Sequence, residues 1–393
     1  MSGRDLFCQP RRTGRGAALT LLFASVLVAG AATGSLPGTG RGQEARSTRS
    51  AAPTTSRPEQ VTRAAEEALA DGKSPMEAAE RAVSRSGDRW GAVYSRGEYE
   101  EFQEALDGRY TGVGLWARRE RDGRIEVAKV AEGSPAARAG IRAGDRLRRV
   151  DGHTVDGRPV TEVLALLRGD ATDAPAGTAV TLGLERGTRA WNLTLRRASL
   201  STQPVTVRRV SGEVTVIRIA SFAKGVGETV RAAVRQAPAG AGVILDLRGN
   251  SGGLVAEAVT TASAFLDGGL VATYDVDGEQ HALHADPGGD TTRPLVAVVD
   301  GGTMSAAELL TGALKDRGRA VVVGSRTFGK GSVQMPSRLP DGSVAELTVG
   351  HYRTPSGRDV DGTGVTPDLE ADAHALQRAE TILDGLGDAS RHP

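Results

Sequence analysis

The stretch LVAVVDGGTMSAAELLTGALKD, residues 295–316, reads as a strand, a tight turn and a helix in immediate succession. Leu295–Val299 is an unbroken apolar, mostly β-branched run, the pattern of a strand buried on both faces. Asp300, Gly301 and Gly302 break it. Ser305 and Glu308 then make a Ser-x-x-Glu capping box that opens a helix over Ala306–Lys315. Working outward, the same rhythm holds from Ser199 onward, with strands at Val214–Ile219, Gly242–Leu247 and Ala320–Val323 and helices at Val226–Gln236 and Leu254–Phe265. This predicts an α/β core whose functional groups sit on the loops leaving the C-terminal ends of its strands.

Upstream the pattern changes. From Arg109 to Ser199 short alternating strands at Ile125–Val130, Arg146–Val150, Val180–Glu185 and Trp191–Leu195 are separated by glycine turns. A short helix between them has Ser134 as its cap, Pro135 in its first turn and Gly140 at its end, and a second runs from Val160 to Leu167. Before this, apolar residues recur at helical spacing through Val61, Ala65, Ala68 and Leu69, again over Pro75–Val83, and again toward Leu106. The predicted organisation is a leader (1–36), a Gly/Ser/Thr/Pro/Arg linker (37–57), a helical region (58–108), a β-rich domain (109–199), the α/β core (200–370) and a C-terminal helix and tail (371–393).

The leader combines Arg4, Arg11, Arg12 and Arg15 with an apolar run from Ala17 to Ala32 and a small-residue site at Ala29-Gly30-Ala31, which predicts export. Extension of the run toward Leu36 would make it an uncleaved anchor on the outer face of the membrane. The formal net charge is +1 and no basic stripe follows the leader, so nucleic acid is not an expected partner. Cys8 is the chain's one cysteine, which leaves the folded part without disulfide, thiolate or cysteine-based metal chemistry. No cofactor or metal is expected.

Three segments carry candidate chemistry: Asp246-Leu-Arg-Gly-Asn-Ser-Gly-Gly253, Asp300–Glu308, and Thr327-Phe-Gly-Lys-Gly-Ser-Val-Gln334. Each has an ordinary explanation. Ser305 can be a helix cap and nothing more, Gly252-Gly253 a strand-to-helix turn, and Lys330 a surface charge. The functional reading uses the same geometry: a serine at a helix start is exposed to a cleft, while the Ala306 amide and the helix dipole face any oxyanion formed by its attack. The glycine pair permits a second backbone amide to approach, and Lys330 becomes a base if burial, with Phe328, Val333 and Met335 as the expected cover, lowers its pKa. Gly324, Gly329 and Lys330 approach a phosphate-binding loop, but Gly331 stands where Ser or Thr should hold magnesium. A triad through His351 with Asp316 lacks local support, and His281 and His284 read as solvated.

The three segments, in this order and spacing, resemble the C-terminal processing peptidases, or tail-specific proteases. The likeness extends to Glu100–Gly114, Asp341-Gly342, Leu347-Thr348, Tyr352–Gly357 and Gly364–Asp368, and so covers most of residues 88–368. It implies a crotonase-like α/β peptidase core with an inserted or preceding PDZ domain, acting as a serine endopeptidase near the C termini of protein substrates. It further implies Ser305 as nucleophile, Lys330 as general base, Gln334 as the lysine's positioning partner, and Gly252 (or Gly253, one register on) with Ala306 as oxyanion amides. Asp316 would support the site. The segment Tyr110–Leu115 would be the PDZ carboxylate loop, with Thr111, Gly112, Val113, Gly114 and Leu115 meeting a peptide tail as an added strand. The family often has several serines around the nucleophile; here Thr303, Met304 and Ala307 fill those places, leaving Thr303 as the other hydroxyl to test. Membrane contact through the leader and a homo-oligomer are left open.

Overall fold

The structure, a computed structural model, describes residues 57–169, 174–211, 214–276 and 279–391. The expected leader and nearly all of the linker lie outside them. Two compact units emerge, one formed by Gly97–Gln203 and one by the residues on either side of it in the chain. Among the described residues no helix is long and apolar enough to cross a membrane.

The flanking unit is built on a six-stranded sheet ordered Val205–Ser211, Val214–Ile219, Gly242–Asp246, Leu295–Val299, Val321–Gly324 and Leu369–Glu370. Its pairings are parallel apart from the first. Because side chains alternate along each strand, Leu245, Ala297 and Val299 join one core while Ile244, Val296 and Val298 join another on the opposite face. Helices Val226–Gln236, Val255–Ala262 and Ala306–Asp316 contribute to the first core, and Ala375, Ala379 and Leu383 of the C-terminal helix Ala375–Arg391 to the second. The result is a three-layer arrangement. Leu309, Leu310 and Leu314 of the helix that Ser305 opens are buried, each stabilising by about 1.5–3 kcal/mol, so packing fixes that helix independently of its polar end.

The same unit contains an antiparallel sheet that periodicity did not anticipate. Its long strand Val344–Arg353 pairs with Ala92–Tyr94, with Ser332–Arg338 and with Leu270–Val276, and the last of these pairs with Glu279–His284. Helices Arg57–Ala70 and Pro75–Ser86 close one face of it, where Val61, Ala65, Ala79 and Val83 meet Leu339, Ala345 and Leu347. The expected helical region 58–108 is therefore divided. Its first two helices belong to this unit, while nearly all of the third, Arg96–Leu106, falls in the other.

The Gly97–Gln203 unit carries an antiparallel sheet ordered Leu115–Arg119, Ile125–Val130, Arg146–Val150, Ala179–Arg186 and Arg189–Arg196. Val163 and Leu167 of the helix Val160–Arg168 pack with Ile125, Val127, Leu147 and Leu182 in its core. Buried Arg197 donates to the carbonyls of Leu166 and Leu167, capping the last turn of that helix from outside. The expected loop Tyr110–Leu115 is shorter in fact. Arg109–Gly112 is a strand paired with Ala198–Ser201 and Leu115 begins the next, so Val113 and Gly114 alone make the connection. Their carbonyls accept from Ala136 and Ala131.

Gly114 has φ +80°, and a Cβ there would lie 2.2 Å from the Cβ of Ser134. Both the conformation and the space require glycine. Gly114→Ala is expected to destabilise this unit by about 2 kcal/mol or more, checked by urea unfolding with a spectroscopic probe in the same unit. An unchanged midpoint would show that the close approach is not obligatory.

Candidate active site

Ser305 follows the turn after Leu295–Val299 with φ 54° and ψ −117°, one of two non-glycine residues among those described with positive φ. A serine held in this sparsely populated region is strained by about 1–3 kcal/mol, and the resulting sharp strand-to-helix bend is the backbone form of a nucleophile elbow. It forms here without the flanking glycines that usually signal it. The neighbouring loop holds it in place: Met304 N donates to Asn250 O at 2.8 Å, and Asn250 Nδ2 anchors that loop by donating to Ile219 O. Asp246 grips Arg248 and Arg218 at the strand end below. Burial pushes the Asp246 carboxyl up, but Arg248 and Arg218 outweigh it and hold it below its ordinary value.

Glu308 is wholly buried and reaches both chemical segments. Its Oε2 accepts from Ser305 N at 2.9 Å and from Lys330 N at 2.8 Å; its Oε1 accepts from Gly329 N at 2.7 Å and from the Thr327 hydroxyl at 2.5 Å. Burial raises this carboxyl above its ordinary value, opposed by those donors. Tyr352 Oη lies 3.0 Å from Ser305 O and 3.2 Å from Lys330 O, so one hydroxyl serves the carbonyls of the same two residues. Nucleophile and base candidates are thus tied through shared partners on both the amide and the carbonyl side.

Lys330 has no exposed surface, and its Nζ has no hydrogen-bond partner. It lies 5.2 Å from the centroid of the Trp90 ring. Burial pushes its pKa down to about 8, against the pull of Glu346, Asp88, Asp361 and Glu308. The expected cover is corrected here: Phe328 is 46% and Met335 36% exposed, and Val333 lines a different, apolar cavity. Trp90, from a distant part of the chain, supplies the lid instead. It is placed by its indole N–H donating to Asp361 and by its carbonyl, which accepts from Gln334 Nε2. Gln334 therefore reaches the lysine's surroundings through Trp90 and makes no bond to Lys330 Nζ.

Gly252 stands against the nucleophile, its Cα so placed that an added Cβ would lie 3.0 Å from Ser305 Cβ and 3.3 Å from Ala306 N. Its own amide, however, donates to Asn250 Oδ1 at 2.8 Å. The amides of Gly253 and Ala306 have no acceptor among the described residues. Ala306 also borders a cavity of about 10 Å³ lined by Val255, Leu283, Leu309, Val333 and Tyr352.

Other candidates separate from this centre. Thr303 is committed, donating to Leu247 O and accepting from Asp300 N. Asp316 ends the helix that Ser305 starts and binds Ser356 and Arg358. His351 faces away from buried Tyr352, with its side chain 46% exposed, and pairs with Asp361 at 3.9 Å, so the His351–Asp316 triad is not assembled. Two residues were not anticipated. Trp90 belongs to a segment read as helical, and Glu346, buried on the long strand, has neither carboxyl oxygen hydrogen-bonded.

Glu308→Ala would strand three buried backbone amides, and it is expected to lower unfolding free energy by about 3 kcal/mol or more. Denaturant titration checks this, with Glu308→Gln expected to lose less.

Residues 213–371 match the model of peptidase family S41, and residues 126–186 a PDZ domain model. The chain is 31% identical over 290 residues to carboxy-terminal processing protease CtpA of Bacillus subtilis (strain 168), covering 72% of this chain and 61% of that protein. It is 35% identical over 302 residues to a chloroplastic C-terminal processing peptidase of Tetradesmus obliquus, covering 71% and 63%. The chain thus spans a little under two thirds of the length of these relatives. A photosystem II D1 C-terminal processing protease of known structure superposes with a TM-score of 0.52 at 28% identity, over 85% of this chain and 98% of that one. Motif order, elbow geometry and these matches together make the chain a member of peptidase family S41 with a PDZ domain preceding its S41 region.

Proposed function

We propose that the chain is an exported serine endopeptidase that cuts proteins near their C termini, with Ser305 as nucleophile and Lys330 as general base. The observation that carries this is the pair of shared partners, Glu308 and Tyr352, which hold Ser305 and Lys330 as one unit while the lysine amine is kept dry and unpaired. A neutral Lys330 takes the hydroxyl proton of Ser305 as Ser305 Oγ attacks the peptide carbonyl. The oxyanion is received by Ala306 N–H and, of the glycine pair, by Gly253 N–H, since Gly252 N–H is already engaged by Asn250. Lys330 passes the proton to the leaving amine, and water, deprotonated by the same lysine, releases the acyl group. The likeness to proteins named as processing proteases supports the substrate class, and the PDZ match supports tail recognition by the Val113–Gly114 connection and the strand from Leu115. Gln334 and Asp316 support the site, the first by placing Trp90 over the lysine and the second by tying the far end of the serine helix.

Purified full-length protein incubated with an unfolded protein bearing an apolar C-terminal tail is expected to give C-terminally shortened products by mass spectrometry. Ser305→Ala and Lys330→Ala should each lower kcat/KM by about 10³-fold or more; full activity in both would sink the proposal, and tail binding without cleavage by the wild type would leave a PDZ adaptor.

The pH dependence has a definite sign. Lys330 acts only when neutral, so kcat/KM should rise with pH through a limb centred near the lysine's value of about 8 and level off above it. A rate that is flat from pH 6 to 9 would remove Lys330 from the role of base.

A further inference from the structure

The long strand Val344–Arg353 presents alternate residues to the catalytic side of its sheet. Ala345 and Leu347 point into the helical core, which turns Glu346 and Thr348 the other way. Thr348 lies opposite Gln334 in register, and Tyr352 meets Ser305 and Lys330. Glu346 is therefore diagonal to Gln334 on the face that holds the lysine. It is 0% exposed, and both its carboxyl oxygens lack partners, as do Lys330 Nζ and Gln334 Oε1. A run of unsatisfied buried polar atoms is costly and demands a functional or structural reason.

We propose that Glu346 is a positioning residue for Lys330: its buried, unbonded carboxylate is the counter-charge that receives the ammonium formed when Lys330 takes the proton of Ser305. This rests on the Ser305/Lys330 reading above. No covalent bond is made; the proton moves from Ser305 Oγ to Lys330 Nζ, and Glu346 faces the resulting cation. Three other carboxylates act on the lysine, and each is already occupied. Glu308 accepts from four donors, Asp88 from Thr348, Trp90 and Gly91, and Asp361 from Trp90 and Gly331. Glu346 has no hydrogen bond to share its charge with, so of the four it responds most to a change in the lysine's charge. Burial pushes Glu346 up to about 7 and Lys330 down to about 8, and each draws the other back toward its charged form.

The chain has Lys73, Lys129, Lys224, Lys315 and Lys330 as its only lysines, so full-length protein labelled with ¹³C at lysine Cε gives a spectrum simple enough to follow each one, with Lys330 assigned by its loss in Lys330→Met. Glu346→Gln is expected to move the Lys330 titration midpoint about half a pH unit or more toward acid. The rising limb of kcat/KM should move by the same amount, and its plateau should fall about tenfold as the forming ammonium loses its counter-charge. Glu346→Asp, which keeps the charge at a greater distance, should shift the midpoint less, and gives the reading if Glu346→Gln does not fold. A residue that merely fills space would change the melting temperature without moving the midpoint, so an unmoved Lys330 midpoint in Glu346→Gln, or in Glu346→Asp if that variant alone folds, overturns the proposal. A moved midpoint in a chain whose wild type cuts nothing would retain the pair and discard the peptidase reading.

Discussion

The Glu308 carboxylate is the constraint on which the rest of the site depends. A buried carboxylate is expensive to desolvate, and here the expense is offset by four donors drawn from both sides of the centre: Ser305 N at the helix start, and Thr327 Oγ1, Gly329 N and Lys330 N from the lysine segment. Its position at the first turn of the serine helix adds the favourable end of the helix dipole. The two segments are separated in sequence, yet neither can shift without stripping hydrogen bonds from the same buried group. Tyr352 repeats the arrangement on the carbonyl side, and being buried with its pKa well above the ordinary value, it stays protonated and able to donate.

Such bracing explains how Ser305 can persist at φ 54°. The strain of that conformation must be matched by contacts that exist only when the bend is made. Those contacts are identifiable: the Glu308 bond to the serine's own amide, the Met304–Asn250 bond just before it, and the close approach of Gly252, where a side chain would collide with the bend. The capping box and the proposed nucleophile are consequently not competing descriptions of Ser305. The Glu308 limb of the box is the device that holds the elbow, and it leaves the Ala306 amide, the next donor along, pointing to where an oxyanion would form.

What could be read in the sequence was what local chemistry determines. The parallel strands Val214–Ile219 and Leu295–Val299 and the helix Val226–Gln236 follow from apolar runs, and the short helix after Ser134 follows from its cap and proline, because each is decided within a dozen residues. The antiparallel sheet was opaque because Val344–Arg353 places Glu346 and Thr348 on a buried face, which disguises the alternation that marks a strand. Trp90 could not be found for a different reason. Nothing near it resembles chemistry, and it reaches the lysine only because Ala92–Tyr94 pairs with the long strand and Gln334 holds its carbonyl. Phe328 and Met335, close to Lys330 in sequence, are 46% and 36% exposed, and the Phe328 ring meets Trp90 at 5.7 Å between centroids, so cover reaches the lysine through Trp90.

The lysine's low pKa then follows from a competition that burial wins. Four carboxylates, Glu346 foremost, act to keep Lys330 charged, and burial outweighs them together. Three have their charge drawn off by backbone amides, hydroxyls and the Trp90 indole, so the desolvation of Nζ against the Trp90 ring prevails. The hydrogen-bonding that shapes the site and the acid–base poise of its lysine are therefore the same set of interactions: each donor that fixes a loop also removes a competitor for the ammonium. Glu346 is the one carboxylate outside that scheme, held by strand register and left unbonded, which is the placement a counter-charge needs if it is to be felt when the proton arrives and not to fix the lysine in its charged form before then.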